Sequence, residues 1–69
     1  MYRIDIFQKM VDWIVEHYPK AVIIPESFDC FMGDWELHFK PDKEHNERPY
    51  VLQFNGVGKY RIVAEFEST

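Results

Sequence analysis

The sequence predicts an α+β fold in which one N-terminal helix packs on an antiparallel sheet of about four strands, in the order α-β-β-β-β. Three observations predict this fold. Apolar residues recur at helical spacing as far as Pro19, the apolar pattern then changes to a period of two, and glycine-containing turns divide the rest into short strands. A helix and a sheet that each have one apolar face bury those faces against each other.

The length of 69 residues allows a single domain, residues 1–69, with one small core. Because 46% of the residues are hydrophobic and 17% are aromatic, we expect that core to be packed and rich in rings.

The helix is predicted over about residues 5–18. Asp5 is expected to be its N-cap, with Gln8 completing a partial capping box, and Pro19 ends it. Trp13 falls off the apolar stripe and is expected at the edge of the core. The apolar stripe consists of Ile4, Phe7, Val11, Ile14, Val15 and Tyr18.

The sheet is predicted over about residues 21–66, and its first strand contains a proline. The β-branched residues Ile23 and Ile24 precede Pro25, which has no N–H to give to a neighbouring strand. We therefore expect this strand at an edge of the sheet, bent at Pro25. The acids that follow it, with no base among them, are Glu26, Asp29, Asp34 and Glu36. An edge with carboxylates along it suits a positively charged partner.

The first hairpin is predicted to turn at Gly33-Asp34, since glycine at the first position suits a type II′ turn. This turn pairs strand residues so that one face carries both apolar sets. The predicted pairs are Met32 with Trp35, Cys30 with Leu37, and Phe28 with Phe39.

The second hairpin is predicted to have the three-residue loop Gly56-Val57-Gly58, with Gly58 in the left-handed conformation. This loop pairs Phe54 with Tyr60 and Leu52 with Ile62. A charged, solvated loop, residues 41–48, joins the two hairpins. The sheet face away from the helix is expected to carry Phe31, Val51 and Val63 amid polar residues.

Composition narrows the classes of function. Twelve acids against eight bases give a net charge of −4, which argues against direct binding to nucleic acid and suits a basic partner. We expect no membrane partner, because no apolar run has spanning length and the N-terminal residues have no signal-peptide pattern. The lone Cys30 allows no internal disulfide and is expected to be a small buried hydrophobe in a cytoplasmic protein.

No catalytic motif is present, and we expect a binding module, with no catalytic residue, cofactor or metal. Cys30, His38 and His45 have no common metal-ligand spacing. The acids from Glu26 to Glu36 include possible acid–base pairs, but so small a domain has little room for a deep substrate pocket.

Several short segments, in order along the chain, resemble the phage uracil-DNA glycosylase inhibitors of the Ugi type. Pro25-Glu26-Ser27-Phe28 is similar to the family's Gln-Glu-Ser-Ile strand, which also follows a helix. The other segments are Asp34-Trp35-Glu36-Leu37-His38, Arg48-Pro49-Tyr50-Val51-Leu52 and Tyr60-Arg61-Ile62. They are similar to Asp-Ile-Leu-Val-His, Lys-Pro-Trp-Ala-Leu and Lys-Ile, respectively.

The resemblance implies a protein inhibitor that binds uracil-DNA glycosylase in a one-to-one complex by mimicking DNA. Glu26 and Ser27 match the pair that hydrogen-bonds the enzyme as phosphates would, and Phe28 stands at the following position. Cys30 and Leu37 match positions lining an apolar pocket for the leucine that the enzyme inserts into DNA.

Asp34 matches either a second groove-facing glutamate or the aspartate that opens the next strand. The implied location is the cytoplasm, which for a phage protein is that of the host.

The chain also departs from this family. It lacks the second helix and one central strand, Pro25 replaces glutamine, and Gln53 replaces an apolar pocket residue. Phe28, Met32, Trp35 or the patch at Phe31 are the alternatives for the pocket lining.

Two other functions stay open. The same acidic edge would suit a DNA mimic directed at another host defence enzyme, as in an anti-CRISPR or anti-restriction protein. Alternatively, the face with Phe31 is the interface of a dimeric interaction module.

Overall fold

The computed structural model describes residues 3–64, with Phe31 and Ala64 described by their backbone alone. One helix is followed by four strands, which confirms the predicted α-β-β-β-β order. The elements are α1 (Arg3–His17), β1 (Val22–Phe31), β2 (Asp34–Lys40), β3 (Tyr50–Phe54) and β4 (Tyr60–Ala64). The last residues of the predicted sheet, 65 and 66, lie outside the described residues.

The four strands form one antiparallel sheet in sequence order, β1-β2-β3-β4. In this arrangement β1 and β4 are the two edge strands, and the β1–β2 and β3–β4 turns lie at the same end of the sheet. The expected place of Pro25 on an edge strand is confirmed. Among the described residues, no helix is long and apolar enough to cross a membrane.

Helix α1 packs on the sheet with a face that overlaps the predicted one, since Ile14 of the predicted stripe is in the core, but that is rotated from it. Its fully buried side chains are Ile6, Met10 and Ile14, spaced four residues apart. Ile4 and Val15, which the predicted stripe includes, are 74% and 51% exposed. Phe7, Val11, Trp13 and Tyr18 pack partly buried around the core. The stripe is therefore rotated toward Ile6 and Met10, because these two residues meet the centre of the sheet.

The ends of the helix also differ from the prediction. The helix begins at Arg3, so Asp5 lies within its first turn and is not the N-cap; there its carboxylate still faces the positive end of the helix dipole. The helix ends at His17, and the N–H of Tyr18 donates to the Ile14 carbonyl at 2.6 Å. Pro19 follows and prevents another turn.

The buried sheet residues come from the two central strands. Every second residue of β2 and β3 points toward the helix, and the four in the middle of the sheet are 0–2% exposed. They are Leu37 and Phe39 of β2, and Leu52 and Phe54 of β3.

The first hairpin turns one residue earlier than predicted. Its two turn residues are Met32 and Gly33, with Phe31 opposite Asp34 and Cys30 opposite Trp35, so the predicted Gly33-Asp34 turn and its pairs are wrong. Both turn residues have positive φ, 53° for Met32 and 86° for Gly33, which is the pattern of a type I′ turn. The register shifts by two residues, so the same side chains keep the same face.

A large bulge interrupts β1. Ile24 lies opposite His38, and the next paired residue, Asp29, lies opposite Glu36. Residues 25–28 of β1 therefore face the single residue Leu37 of β2. Pro25 has no N–H for a sheet hydrogen bond, which favours the break at this point.

The second hairpin has the predicted register. Phe54 lies opposite Tyr60, Leu52 lies opposite Ile62, and the N–H of Asn55 donates to the Lys59 carbonyl at 3.1 Å. The loop Gly56-Val57-Gly58 closes it, and Gly58 has the expected positive φ, 111°. The charged segment 41–48 contains no strand, as predicted.

We expect the Leu37→Ala variant to lose about 2–5 kcal/mol of unfolding free energy, because Leu37 is 0% exposed and its removal leaves a cavity. Urea denaturation followed by circular dichroism measures this loss. The matched control is Val57→Ala, since Val57 is 84% exposed, and its effect is expected to stay within about 0.5 kcal/mol. Equal effects of the two substitutions would contradict a core role for Leu37.

Candidate protein-binding edge

One edge of the sheet is acidic. The acidic hairpin, as we call strands β1 and β2 here, carries Glu26, Asp29, Asp34 and Glu36. No lysine or arginine occurs between Ala21 and Phe39, so nothing in this part of the chain balances those charges. Glu26, Asp29 and Asp34 are exposed and Glu36 is half-buried. The four predicted acids thus lie on neighbouring strands at one side of the molecule.

Glu26 lies within the bulge, on the open edge of β1. The residue is exposed, and Pro25 on one side fixes the backbone angle φ of its own position. A carboxylate at this point projects from the side of the sheet and is available to a partner that approaches the edge.

Ser27, the second residue of the predicted pair, is engaged inside the protein. Its Oγ accepts a hydrogen bond from the N–H of His38 at 2.8 Å and donates one to the carbonyl of Ile24 at 2.6 Å. The hydroxyl replaces a backbone partner that the bulge has removed, and it ties β1 to β2. Ser27 therefore positions the bulge, and Glu26 is the member of the pair that faces outward.

Phe28 anchors the other end of the bulge to the helix side of the sheet. Its ring stacks on Trp35 at 5.4 Å and meets Phe7 edge-on at 5.1 Å. The Arg3 guanidinium lies 5.5 Å from the Phe28 ring and 5.8 Å from the Trp35 ring, in cation–π geometry. These contacts make Phe28 a half-buried part of the packing beside Glu26.

Glu36 is held by a chain of hydrogen bonds across the sheet face away from the helix. Gln53 Nε2 donates to Glu36 Oε2 at 2.9 Å, and Arg61 Nη2 donates to Gln53 Oε1 at 2.8 Å. Asp29 lies opposite Glu36 in the register, which places two like charges side by side. Because Gln53 satisfies Glu36, the acids exposed to a partner are Glu26, Asp29 and Asp34.

Leu37 and Cys30 do not line an open pocket together. Leu37 is 0% exposed within the core, so contact with a partner's leucine would require the core to open. Cys30 is exposed, against the expectation of a buried residue, because the observed turn places it opposite Trp35 near the end of the hairpin. Surface hollows of about 470 and 420 Å³ exist, and neither is lined by Glu26, Cys30 or Leu37.

The residues considered as metal ligands lie apart. His45 Nε2 is hydrogen-bonded to the Arg48 carbonyl at 3.0 Å, while His38 pairs with Val51 on the sheet face opposite to Cys30. Within residues 3–64, no three His, Cys, Asp or Glu side chains are grouped to hold a metal ion.

A stack of aromatic rings between α1 and the β3–β4 hairpin was not predicted from the sequence. Four rings lie nearly parallel in the order His17, Trp13, Tyr60 and Phe54, at centroid distances of 3.9, 5.6 and 4.4 Å. Burial, and then the nearby Asp12 carboxylate, raise the pKa of the Tyr60 hydroxyl above its usual value. This stack fixes the helix to the β3–β4 hairpin, while Phe7 and Arg3 hold the helix to Phe28 of β1.

Met32 is, with Cys30, a surface residue that the sequence pattern places incorrectly. The predicted turn puts Met32 on the apolar face of the hairpin, but it lies at the observed turn and is 86% exposed. Turn chemistry does not reveal this position, since Gly33 suits the first place of a type II′ turn as well as the second place of a type I′ turn, and methionine is uncommon at the first place of a type I′ turn.

Comparison with known protein families, with curated proteins and with solved structures finds no match to this chain.

We expect Ser27→Ala to lose about 1–3 kcal/mol of unfolding free energy, because it leaves the His38 N–H and the Ile24 carbonyl without their partner. Urea denaturation measures the loss, and faster hydrogen exchange at the His38 amide locates it. Glu26→Ala is the matched control and is expected to change stability by about 0.5 kcal/mol at most. Unchanged stability and exchange in Ser27→Ala would show that the hydroxyl does not close the bulge.

Proposed function

We propose that the protein is an inhibitor of uracil-DNA glycosylase that binds the enzyme one-to-one by mimicking DNA. The observation that carries the proposal is the exposed Glu26 on a bulge at an open sheet edge, within a hairpin that has four acids and no lysine or arginine between Ala21 and Phe39. The order of the segments similar to the Ugi type supports the choice of enzyme.

The chemistry of a DNA-binding groove explains why carboxylates would serve. Such a groove presents basic side chains and backbone N–H groups to phosphates, and a carboxylate can accept the same hydrogen bonds. Glu26 takes the central phosphate-like position, and Asp29 and Asp34 extend the negative charge along the hairpin. The protein itself, with its net charge of −4, does not bind DNA.

The bulge matters because a mimic must present its charge in a fixed place. Pro25, the two hydrogen bonds of Ser27 and the stacking of Phe28 all restrict the backbone on either side of Glu26. A backbone segment that is already ordered loses less conformational entropy on binding. The role of Ser27 in this proposal is therefore positioning, and the role of Phe28 is support.

No chemical step belongs to this function, so the protein acts without a catalytic residue, a cofactor or a metal. It works in the cytoplasm, where it meets the glycosylase.

The dimeric module remains the second candidate, and the face away from the helix bears on it. The hydrogen-bonded side chains of Arg61, Gln53 and Glu36 form a polar row across this face. Val51, on the same face, is only 3% exposed and is therefore already buried without a partner. A polar row and a covered valine are less suited to an apolar dimer interface than an open apolar face would be.

We expect Glu26→Lys to abolish inhibition while the protein stays folded, because it reverses the charge at the phosphate-like position on an exposed site. The assay is uracil excision from a single-stranded, uracil-containing oligonucleotide by a bacterial uracil-DNA glycosylase, titrated with the protein. Excision is expected to stop near one equivalent of the unmodified protein.

Glu47→Lys is the matched control, because it makes the same change of charge at an exposed site in the loop between the hairpins. This variant is expected to inhibit like the unmodified protein. Full inhibition by Glu26→Lys would show that the mimicry site is wrong. Unchanged excision at large excess, with glycosylases from several hosts, would exclude the enzyme, and a panel of other host nucleic-acid enzymes would then identify a different target.

We also expect the rate of association with the glycosylase to fall by at least about tenfold between low and high salt. The exposed carboxylates attract the positively charged groove at long range, and salt screens that attraction. Stopped-flow mixing at several salt concentrations measures this rate. A rate that does not change with salt would contradict charge-guided binding.

A further inference from the structure

The tip of the acidic hairpin carries two unfavourable features at one residue. Met32 is 86% exposed, so its apolar side chain stands in water. Its φ of 53° lies in the left-handed region, which side chains other than Asn, Asp and Gly rarely adopt. Asn at this position, before Gly33, would give a favoured type I′ turn and a polar tip. Neither the fold nor solubility therefore explains methionine here.

The charge around the tip indicates what kind of surface would accept it. Asp34 follows the turn directly, and Asp29 lies near it on β1. Arg3 is placed over the rings of Phe28 and Trp35, and Lys59 and Arg61 line a surface hollow together with Asp34. An apolar tip next to exposed carboxylates matches an apolar recess at the rim of a positively charged groove.

Methionine also suits insertion. Its side chain is unbranched and flexible, and it adapts to irregular apolar recesses on a partner. A hairpin turn is the part of the acidic hairpin that projects farthest along the strand direction, so it can enter a recess that a sheet face could not reach.

We infer that Met32 is a binding residue that inserts into an apolar recess of the partner, beside the positively charged surface that Glu26 engages. This inference rests on the proposed function and replaces the leucine pocket that the resemblance implies. The apolar contact comes from a side chain of this protein entering the enzyme, and not from a pocket of this protein that receives the enzyme's leucine.

The test compares isosteric substitutions at two exposed apolar loop residues. Met32→Gln keeps the length and shape of the side chain and removes its apolar character, and Val57→Thr does the same at the neighbouring turn, where Val57 is 84% exposed. Met32→Asn also removes the apolar side chain, but asparagine favours the type I′ turn, so this variant separates an effect on binding from an effect on folding. Each variant is titrated in the uracil-excision assay, and its melting temperature is recorded.

We expect Met32→Gln and Met32→Asn to weaken inhibition at least about tenfold, as loss of an inserted apolar anchor does, while Val57→Thr has no effect. Met32→Asn is expected to raise the melting temperature by roughly 3–6 °C, because it relieves the left-handed strain. A variant that folds better and binds worse separates the binding role from a structural one.

Two results would overturn the inference and leave the proposed function standing: inhibition by Met32→Gln equal to that of the unmodified protein, or an equal loss in Val57→Thr. Failure of the unmodified protein to inhibit any glycosylase would instead remove the proposed function, and this inference with it.

Discussion

The two hydrogen bonds of the Ser27 hydroxyl are the constraint on which the edge of this protein depends. Strand β1 pairs with β2 in two separate registers, Val22–Ile24 before the bulge and Asp29–Phe31 after it. Between them the backbone ladder is interrupted, and Ser27 Oγ bridges the gap by contacting Ile24 on its own strand and His38 on the next. An edge strand of ten residues is thereby broken into short pieces, which limits its pairing with another sheet.

The bulge also decides which side chains reach the core. It adds three residues to β1 relative to β2, and an odd number reverses the alternation of faces. Ile23 before the bulge and Cys30 after it therefore face the same side, although seven positions separate them. Phe28 reaches the helix side and packs against Phe7 and Trp35. Glu26 is left on the outside, so the packing of Phe28 and the exposure of Glu26 have one geometrical cause.

The sequence predicted the features that a periodic pattern determines. The β3–β4 hairpin was correct in register because an uninterrupted alternation and a loop with two glycines allow a single pairing. The β1–β2 hairpin was not, because a shift of two residues leaves every side chain on its face, and Gly33 suits both a type II′ turn at residues 33–34 and a type I′ turn at residues 32–33. Pro25 predicts a bend in β1, but nothing in the pattern shows how many residues the bulge contains or that Ser27 replaces a backbone partner. The pocket expected at Cys30 and Leu37 follows from the resemblance alone, and no periodic pattern predicts it.

The two hairpins of this small domain differ in how far their geometry favours folding. In the β3–β4 hairpin the register is regular, and glycines occupy the left-handed positions of its turn. The β1–β2 hairpin combines a left-handed methionine, two like charges opposite each other and a broken ladder. Each of these features opposes folding, and a core of this size offers little surplus stability to offset them. They all occur on the hairpin with the exposed carboxylates, which is the distribution that the proposed binding role of this hairpin would produce.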